Sequence, residues 1–395
     1  MAAQVLGRAV DDVVGAQSER LTQPGGREGG VDDHRGVDRV GLCVPGLLDR
    51  AAQWNALWLR SACTWPTMRA EPLGDWFDAF AVGQRMEILC VEADGALIAA
   101  LPLHRCRKGP LSVARLPGTD LCSVGDFLID MQLTEAEEDR AAELILRGVR
   151  ELDCQWLQCD ALPPRTARWQ RLLCGIDRQH FSFVAKHRGV TGLIEISGSW
   201  EKYFAGRSRN HRRQMRVVRK RAEAQGILSL RLRANPSRGE IEDLLREGFG
   251  VEDRSWKATT GTSTLRTPGA LDYFTRQAKL LSESGHLLLA FLDLDGRAIA
   301  FEYGWLCKGV YHSLKIGYDD AYANLSPGQL LRMLMLEKWF ADGGVSAVDY
   351  LGPLSAATSK WATTTYPVSR VIAARGLAGK AALAAYRALR PATGA

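Results

Sequence analysis

The chain has 395 residues, 46% of them hydrophobic, which is enough to fill two cores rather than one. No apolar run approaches the roughly eighteen residues of a membrane span, and Met1 to Val10 lacks the basic start and apolar centre of a secretory signal, so a cytoplasmic chain with no membrane span is expected. Nine cysteines form no CxxC pair and stand at no metal-ligand spacing from a histidine. Cys154 and Cys159, in the apolar stretch CQWLQC, read as reduced core thiols, and no metal is expected. The formal net charge of +6 is uneven: Lys202 to Arg221 holds nine Lys or Arg and no acid, which leaves −3 for the remainder. One basic element on a mildly acidic body points to a local anionic partner rather than to general nucleic-acid coating.

In chain order, residues 1–45 are rich in Gly, Arg and Asp with no sustained apolar period and read as a poorly ordered extension. Residues 86–118 carry three short strands with turns at Asp94-Gly95 and Lys108-Gly109. A helix from Thr134 to about Leu152 and the apolar strand CQWLQCDALP follow. The same order then returns. Residues 287–318 give three strands with turns at Asp295-Gly296 and Lys308-Gly309, then comes a helix from Ser326 to about Phe340 and the strand VSAVDYLGP. Both copies contain DGxxIA, beginning at Asp94 and Asp295. The pattern predicts a tandem α/β duplication with mixed sheets: an N-terminal lobe over 46–185, a second lobe over 186–370 and a C-terminal helix over 371–395, with the boundary near Phe181 to Gly192.

The two copies differ at one helix start. A helix N-terminus carries unpaired N–H groups and the positive end of the dipole, and seats an anion where no carboxylate already occupies that field. Thr134 is followed by Glu135, Glu137, Glu138 and Asp139, which excludes an anion there. In ANLSPGQLL, Ser326 reads as a cap, Pro327 as the first helical residue and Gln329 as the partner in a capping box, with no acid before Glu337. Gly328 removes a side chain where a ligand would approach the backbone.

The segments SRNHRRQMRVVRKRAEAQG, IAFEYGWLCKGVYHSLKIGYDDAYANLSPGQLL and VDYLGPLSAATSKWATTTYP carry a resemblance. The chain resembles the GNAT acyltransferase superfamily, in particular its duplicated branch of CelD-like proteins of bacterial polysaccharide synthesis, related to the Fem aminoacyltransferases. The resemblance covers roughly residues 50–370. It implies a duplicated GNAT fold and an acetyl-CoA-dependent N-acetyltransferase, the co-substrate lying between splayed strands Val310 to Tyr318 and Val345 to Leu351. Its pyrophosphate would rest on Ser326, Gly328, Gln329 and Leu330. The loop is poorer in glycine and basic residues than the usual GNAT loop.

Acyl transfer to an amine needs a base, a polarised carbonyl and a proton for the leaving thiolate. Asp349 interrupts the apolar strand SAVDYLGP and is a candidate base. Glu302 and His312, on adjacent predicted strands, are further candidates, each with an equally open reading as a core residue holding a partner. Lys360 is a candidate for polarising the carbonyl or holding an anionic acceptor, and Tyr366 and Tyr350 for protonating the thiolate. No Cys or Ser stands with a His base, so direct attack by the amine is expected. Met215, Val218 and Ala222 fall on one helical face of the basic segment. Arg209, Arg213 and Arg216 on its outside, with Trp361, are candidate acceptor or anion contacts. The acceptor class left by this reading is a small-molecule or saccharide amine. Two rival readings stay open: aminoacyl transfer from tRNA, and nucleic-acid binding on an inactive scaffold. Nucleic acid is disfavoured because no aromatic residues are interleaved with the arginines.

Overall fold

The computed structural model describes residues 39–43, 47–118, 125–163 and 166–389, so most of the expected extension over 1–45 lies outside the described residues. The first copy runs β1 (Arg39–Cys43), α1 (Ala51–Arg60), α2 (Ala70–Phe80), β2 (Arg85–Ala93), β3 (Ala96–Lys108), β4 (Leu111–Arg115), the short β5 (Leu128–Ile129), α3 (Glu135–Glu151), β6 (Trp156–Leu162) and α4 (Ala167–Arg178). A 14-residue strand, β7 (Ser182–Glu195), leads into the second copy. That copy runs α5 (Trp200–Ala205), α6 (Arg209–Glu223), β8 (Leu228–Ala234), α7 (Ile241–Asp253), α8 (Trp256–Thr259), α9 (Ala270–Glu283), β9 (Leu287–Leu294), β10 (Arg297–Cys307), β11 (Val310–Tyr318), α10 (Pro327–Asp342) and β12 (Ala347–Pro353). β13 (Thr364–Ala374) and α11 (Gly376–Leu389) complete the described chain.

The predicted meanders form as their turn chemistry dictates. Asp94 and Gly95, and Asp295 and Gly296, all take positive φ (50°, 77°, 49° and 78°), the backbone of a two-residue hairpin whose twist matches its strands. Each meander then continues through a helix into a parallel partner: β4 pairs with β6, and β11 with β12. The fold is therefore α/β, with a large mixed sheet built from two copies of the same strand and helix order.

The copies are joined by exchanged strands. The sheet order is β1-β2-β3-β4-β6-β13-β7-β12-β11-β10-β9-β8, with β5 attached to β3. β7 follows the first copy but lies against β12 of the second, and β13 follows the second copy but lies against β6 of the first. β7 and β13 also pair with each other along Ser182 to Leu193. The residues expected to separate two lobes thus sit inside one continuous central strand, and the described residues cluster as one compact unit.

One face of this sheet carries a core shared by both copies. Trp54, Trp58, Trp76 and Phe77 of α1 and α2 pack into the same cluster as Leu245, Phe249 and Phe274 of α7 and α9. The other face is covered separately, by α3 and α4 in the first copy and by α6 and α10 in the second. The shared face brings the first copy against the β10–β11 turn, where Lys308 Nζ donates to the carbonyls of Trp58 and Ser61 at 2.7 Å each.

Candidate active site

β11 and β12 pair in parallel at only three positions, Val310 with Ala347, Tyr311 with Val348 and His312 with Asp349. Beyond Asp349 the strands part. The cause lies in β12: Leu351 takes φ +55°, a left-handed conformation that disfavours a branched residue. The Asp349 carboxylate stabilises this bend by accepting from the Leu351 N–H at 2.9 Å, and the pairing of β12 with β7 slips between Asp349 and Pro353. Asp349 therefore stands at the point where the wedge opens and helps to open it.

Its surroundings set its chemistry. Asp349 is 9% exposed, and the Tyr366 hydroxyl donates to its two oxygens at 3.0 and 2.9 Å. Burial pushes its carboxyl up to about 6, despite the opposing pull of the Leu351 and Tyr366 hydrogen bonds. His312 Nδ1 lies 3.9 Å from Asp349 Oδ2, beyond hydrogen-bond reach, while His312 Nε2 meets the Thr64 hydroxyl at 3.0 Å. Burial pushes the imidazole down to about 3, so His312 is neutral at physiological pH. Burial and the adjoining Asp349 charge raise the Tyr366 phenol, which keeps its proton.

Glu302 is not part of this cluster. Side chains alternate across a strand, so Ser313 and Glu302 face α10 while His312 faces the first copy. Glu302 is fully buried and accepts from Arg332 Nη2 of α10 at 2.6 Å; the same nitrogen also meets Ser313 Oγ at 3.1 Å. The Arg332 guanidinium lies over the Tyr350 ring at 4.8 Å, so the group ties the helix to β10, β11 and β12. Lys360 is exposed in the loop between β12 and β13. Trp361 is buried: its Nε1 donates to Gln329 Oε1 at 2.7 Å, and its carbonyl accepts from the Tyr203 hydroxyl at 2.6 Å.

The start of α10 departs from the expected capping box. Ser326 takes φ +48° and its side chain makes no cap hydrogen bond, because the left-handed backbone turns the hydroxyl away from the first-turn amides. Gln329 serves Trp361 instead of the Ser326 N–H. The Ser326 carbonyl accepts from Gln329 N at 2.9 Å and Leu330 N at 3.1 Å, and the Leu330 side chain is in the core. Ser326, Gly328 and Gln329 remain partly exposed, with no acid in the first turn. A Cβ on Gly328 would lie 3.7 Å from Ile316 and 3.9 Å from Tyr318, so this start faces the diverging end of β11. The first copy has the opposite character: Thr134 and Glu137 form a full capping box, with Glu135 and Glu138 in the same turn.

In α6, Met215, Val218 and Ala222 are buried, together with His211, and Arg209, Arg213 and Arg216 are exposed. α6 packs on α10 through Arg219 to Glu337 at 3.0 Å, and on the turn before α10 through Arg221 to the Asn324 carbonyl at 3.0 Å. It thus covers the sheet face opposite His312, and its arginines do not converge on Asp349. The residues missed in the sequence are Thr64, which no local signal connects to His312 across 248 positions, and Arg332, whose partner Glu302 lies 30 positions away on another element. Among the described residues, no group of three or more His, Cys, Asp or Glu is placed to hold a metal ion, and no helix is long and apolar enough to cross a membrane.

Comparison with known proteins agrees with this architecture. Residues 209–363 match the acetyltransferase (GNAT) domain family. No curated protein matches the chain. Among solved structures, FemX aligns with a TM-score of 0.57 at 11% identity, covering 87% of this chain and 99% of that one. The C-terminal (DUF2156) domain of an Agrobacterium fabrum protein described as a lysylphosphatidylglycerol synthetase aligns at 0.53 and 14% identity, covering 87% and 96%. A conserved Bacteroides thetaiotaomicron protein of unknown function aligns at 0.52 and 12% identity, covering 86% and 100%. At these identities the likeness concerns the fold. Residues 209–363 of the second copy thus match an acetyltransferase (GNAT) domain, and the solved structures extend the likeness of fold across both copies.

Proposed function

We propose that this protein transfers an acetyl or other acyl group from acyl-CoA to an amine, with Asp349 as the base. The observation that carries the reading is a buried carboxyl, pushed up to about 6 by its burial, at the mouth of the β11–β12 wedge and next to a helix start free of acids. A base is most effective when its pKa lies just below the working pH, and burial supplies that match here. Bound acyl-CoA would supply the activated acyl carbon. The residues present fit it: the first turn of α10 offers an uncompensated dipole end, and Gly328 leaves the backbone approachable from the side of Ile316 and Tyr318.

In the proposed reaction the amine nitrogen bonds to the acyl carbon, and the carbon–sulfur bond breaks. The nitrogen's proton passes to Asp349, and the Tyr366 hydroxyl gives its own proton to the leaving sulfur and recovers one from Asp349. His312, neutral and anchored to Thr64, shapes the wall beside the carboxylate without adding charge. The acceptor is a small-molecule or saccharide amine, which fits a role in polysaccharide or cell-envelope synthesis in the cytoplasm. Amine-dependent release of free thiol from acetyl-CoA, followed over a panel of amino sugars and small amines, tests the reading, with melting curves in acetyl-CoA, CoA and tRNA run alongside. The expected result is stabilisation by both CoA forms; stabilisation by tRNA alone would replace this donor with an aminoacyl-tRNA.

A further inference from the structure

A groove of about 370 Å3 opens on the outer face of the second copy between α5, α6 and α10. It lies on the α10 side of the sheet, away from Asp349 and His312, and its size falls in the range of small-ligand pockets, roughly 300–1,000 Å3. One wall is aromatic: Trp200 stacks on Phe204 with ring centroids 4.9 Å apart and planes at 15°. The floor is the buried Met333, and Arg212, Arg216 and Arg219 line the rim.

The charges of this rim are unevenly satisfied. Two carboxylates reach the groove, and both are engaged: Glu337 holds Arg219 at 3.0 Å, and Glu201 is turned onto its own amide and the Ser199 hydroxyl at the start of α5. Arg212 and Arg216 have no carboxylate partner among the described residues, and Arg212 Nε is buried without a hydrogen-bond partner. The Arg216 guanidinium stands over the Phe204 ring at 5.8 Å. Exposed Arg209, Arg213 and Lys220 on the same helix strengthen the positive field.

Uncompensated guanidiniums select a phosphate. The stacked Trp200–Phe204 pair beside them offers nothing to an inorganic ion and an apolar aromatic surface to a base. In sequence Trp200 and Phe204 precede the arginines; the packing of α5 against α6 sets them side by side. We propose that this groove is a nucleotide site, with the base lying against the Trp200–Phe204 wall and the phosphate held by Arg212 and Arg216. It is separate from the acyl-donor seat at α10 and does not depend on the reaction proposed above.

The test is calorimetric titration of the full chain with AMP, adenosine and ribose 5-phosphate. AMP is expected to bind at one site, adenosine and ribose 5-phosphate each at least tenfold more weakly, and Arg212→Gln/Arg216→Gln to weaken AMP at least tenfold. Gly328→Glu, which alters only the donor seat, is expected to leave AMP binding intact. Absence of AMP binding, equal binding of ribose 5-phosphate, wild-type affinity in the double variant, or loss of AMP in Gly328→Glu each overturns the assignment. Should the double variant fail to fold, Arg216→Gln alone, at an exposed position, gives the same reading.

Discussion

Replacing Asp349 by Asn should make the protein more stable and inactive at once. A carboxyl that holds its proton up to about pH 6 instead of 3.8 binds protons more tightly in the folded chain than in the unfolded one. Stability from this group is full below pH 3.8 and falls as the pH rises toward 6, then stays constant. At about 1.4 kcal/mol per pH unit, ionising Asp349 costs the folded state about 3 kcal/mol at pH 8 and about half of that at pH 5. Asn is close in shape, still accepts from Tyr366 and Leu351, and carries no charge to bury. Urea denaturation of both proteins at pH 4, 5 and 8 should therefore show Asp349→Asn more stable by up to about 3 kcal/mol at pH 8, with the gap closing as the pH falls. Acyl transfer should drop by at least about 100-fold with loss of the base, and the wild-type rate should rise through an apparent pKa near 6. A variant less stable than wild type at pH 8, or a gap independent of pH, refutes the claim that burial drives the Asp349 carboxyl. An unaltered transfer rate refutes its role as base.

Two other substitutions probe the neighbouring elements. Gly328→Glu places a carboxylate in the free dipole of α10, where a Cβ meets nothing closer than 3.7 Å, so melting in buffer should hold while stabilisation by CoA disappears; retained CoA binding misplaces the seat. Glu302→Gln leaves Arg332 charged and fully buried beside a neutral partner, and should lower unfolding stability by about 3–5 kcal/mol, with Glu302→Gln/Arg332→Met recovering most of it. A loss below about 1 kcal/mol in the single variant would mean that the pair does not hold the helix to the sheet.

The duplication was legible because its signals are local. Asp-Gly and Lys-Gly turns need positive φ at fixed places, apolar alternation sets strand faces, and Thr134 with Glu137 caps its helix through neighbours three residues apart. The contrast between an acidic α3 start and an acid-free α10 start is likewise written in short stretches. Even so, the hydroxyl of Ser326 does not cap. The chain enters α10 from the turn Asp320–Leu325 with a left-handed residue, and that entry angle is imposed by the packing of the turn.

What only the tertiary structure decided are the partners. Whether Glu302 is a base or a counter-ion depends on the face it shares with Arg332. Trp361, a candidate acceptor contact in the sequence, holds Gln329, because the loop after β12 folds back over the start of α10. Thr64 reaches His312 only because the two copies share one core, and β7 crosses to the far half of the sheet only because β13 returns to replace it. Backbone periodicity and turn chemistry act within a few residues and are written there; ion pairs, exchanged strands and the wall of an aromatic groove depend on which surfaces meet, and the chain meets itself only once folded.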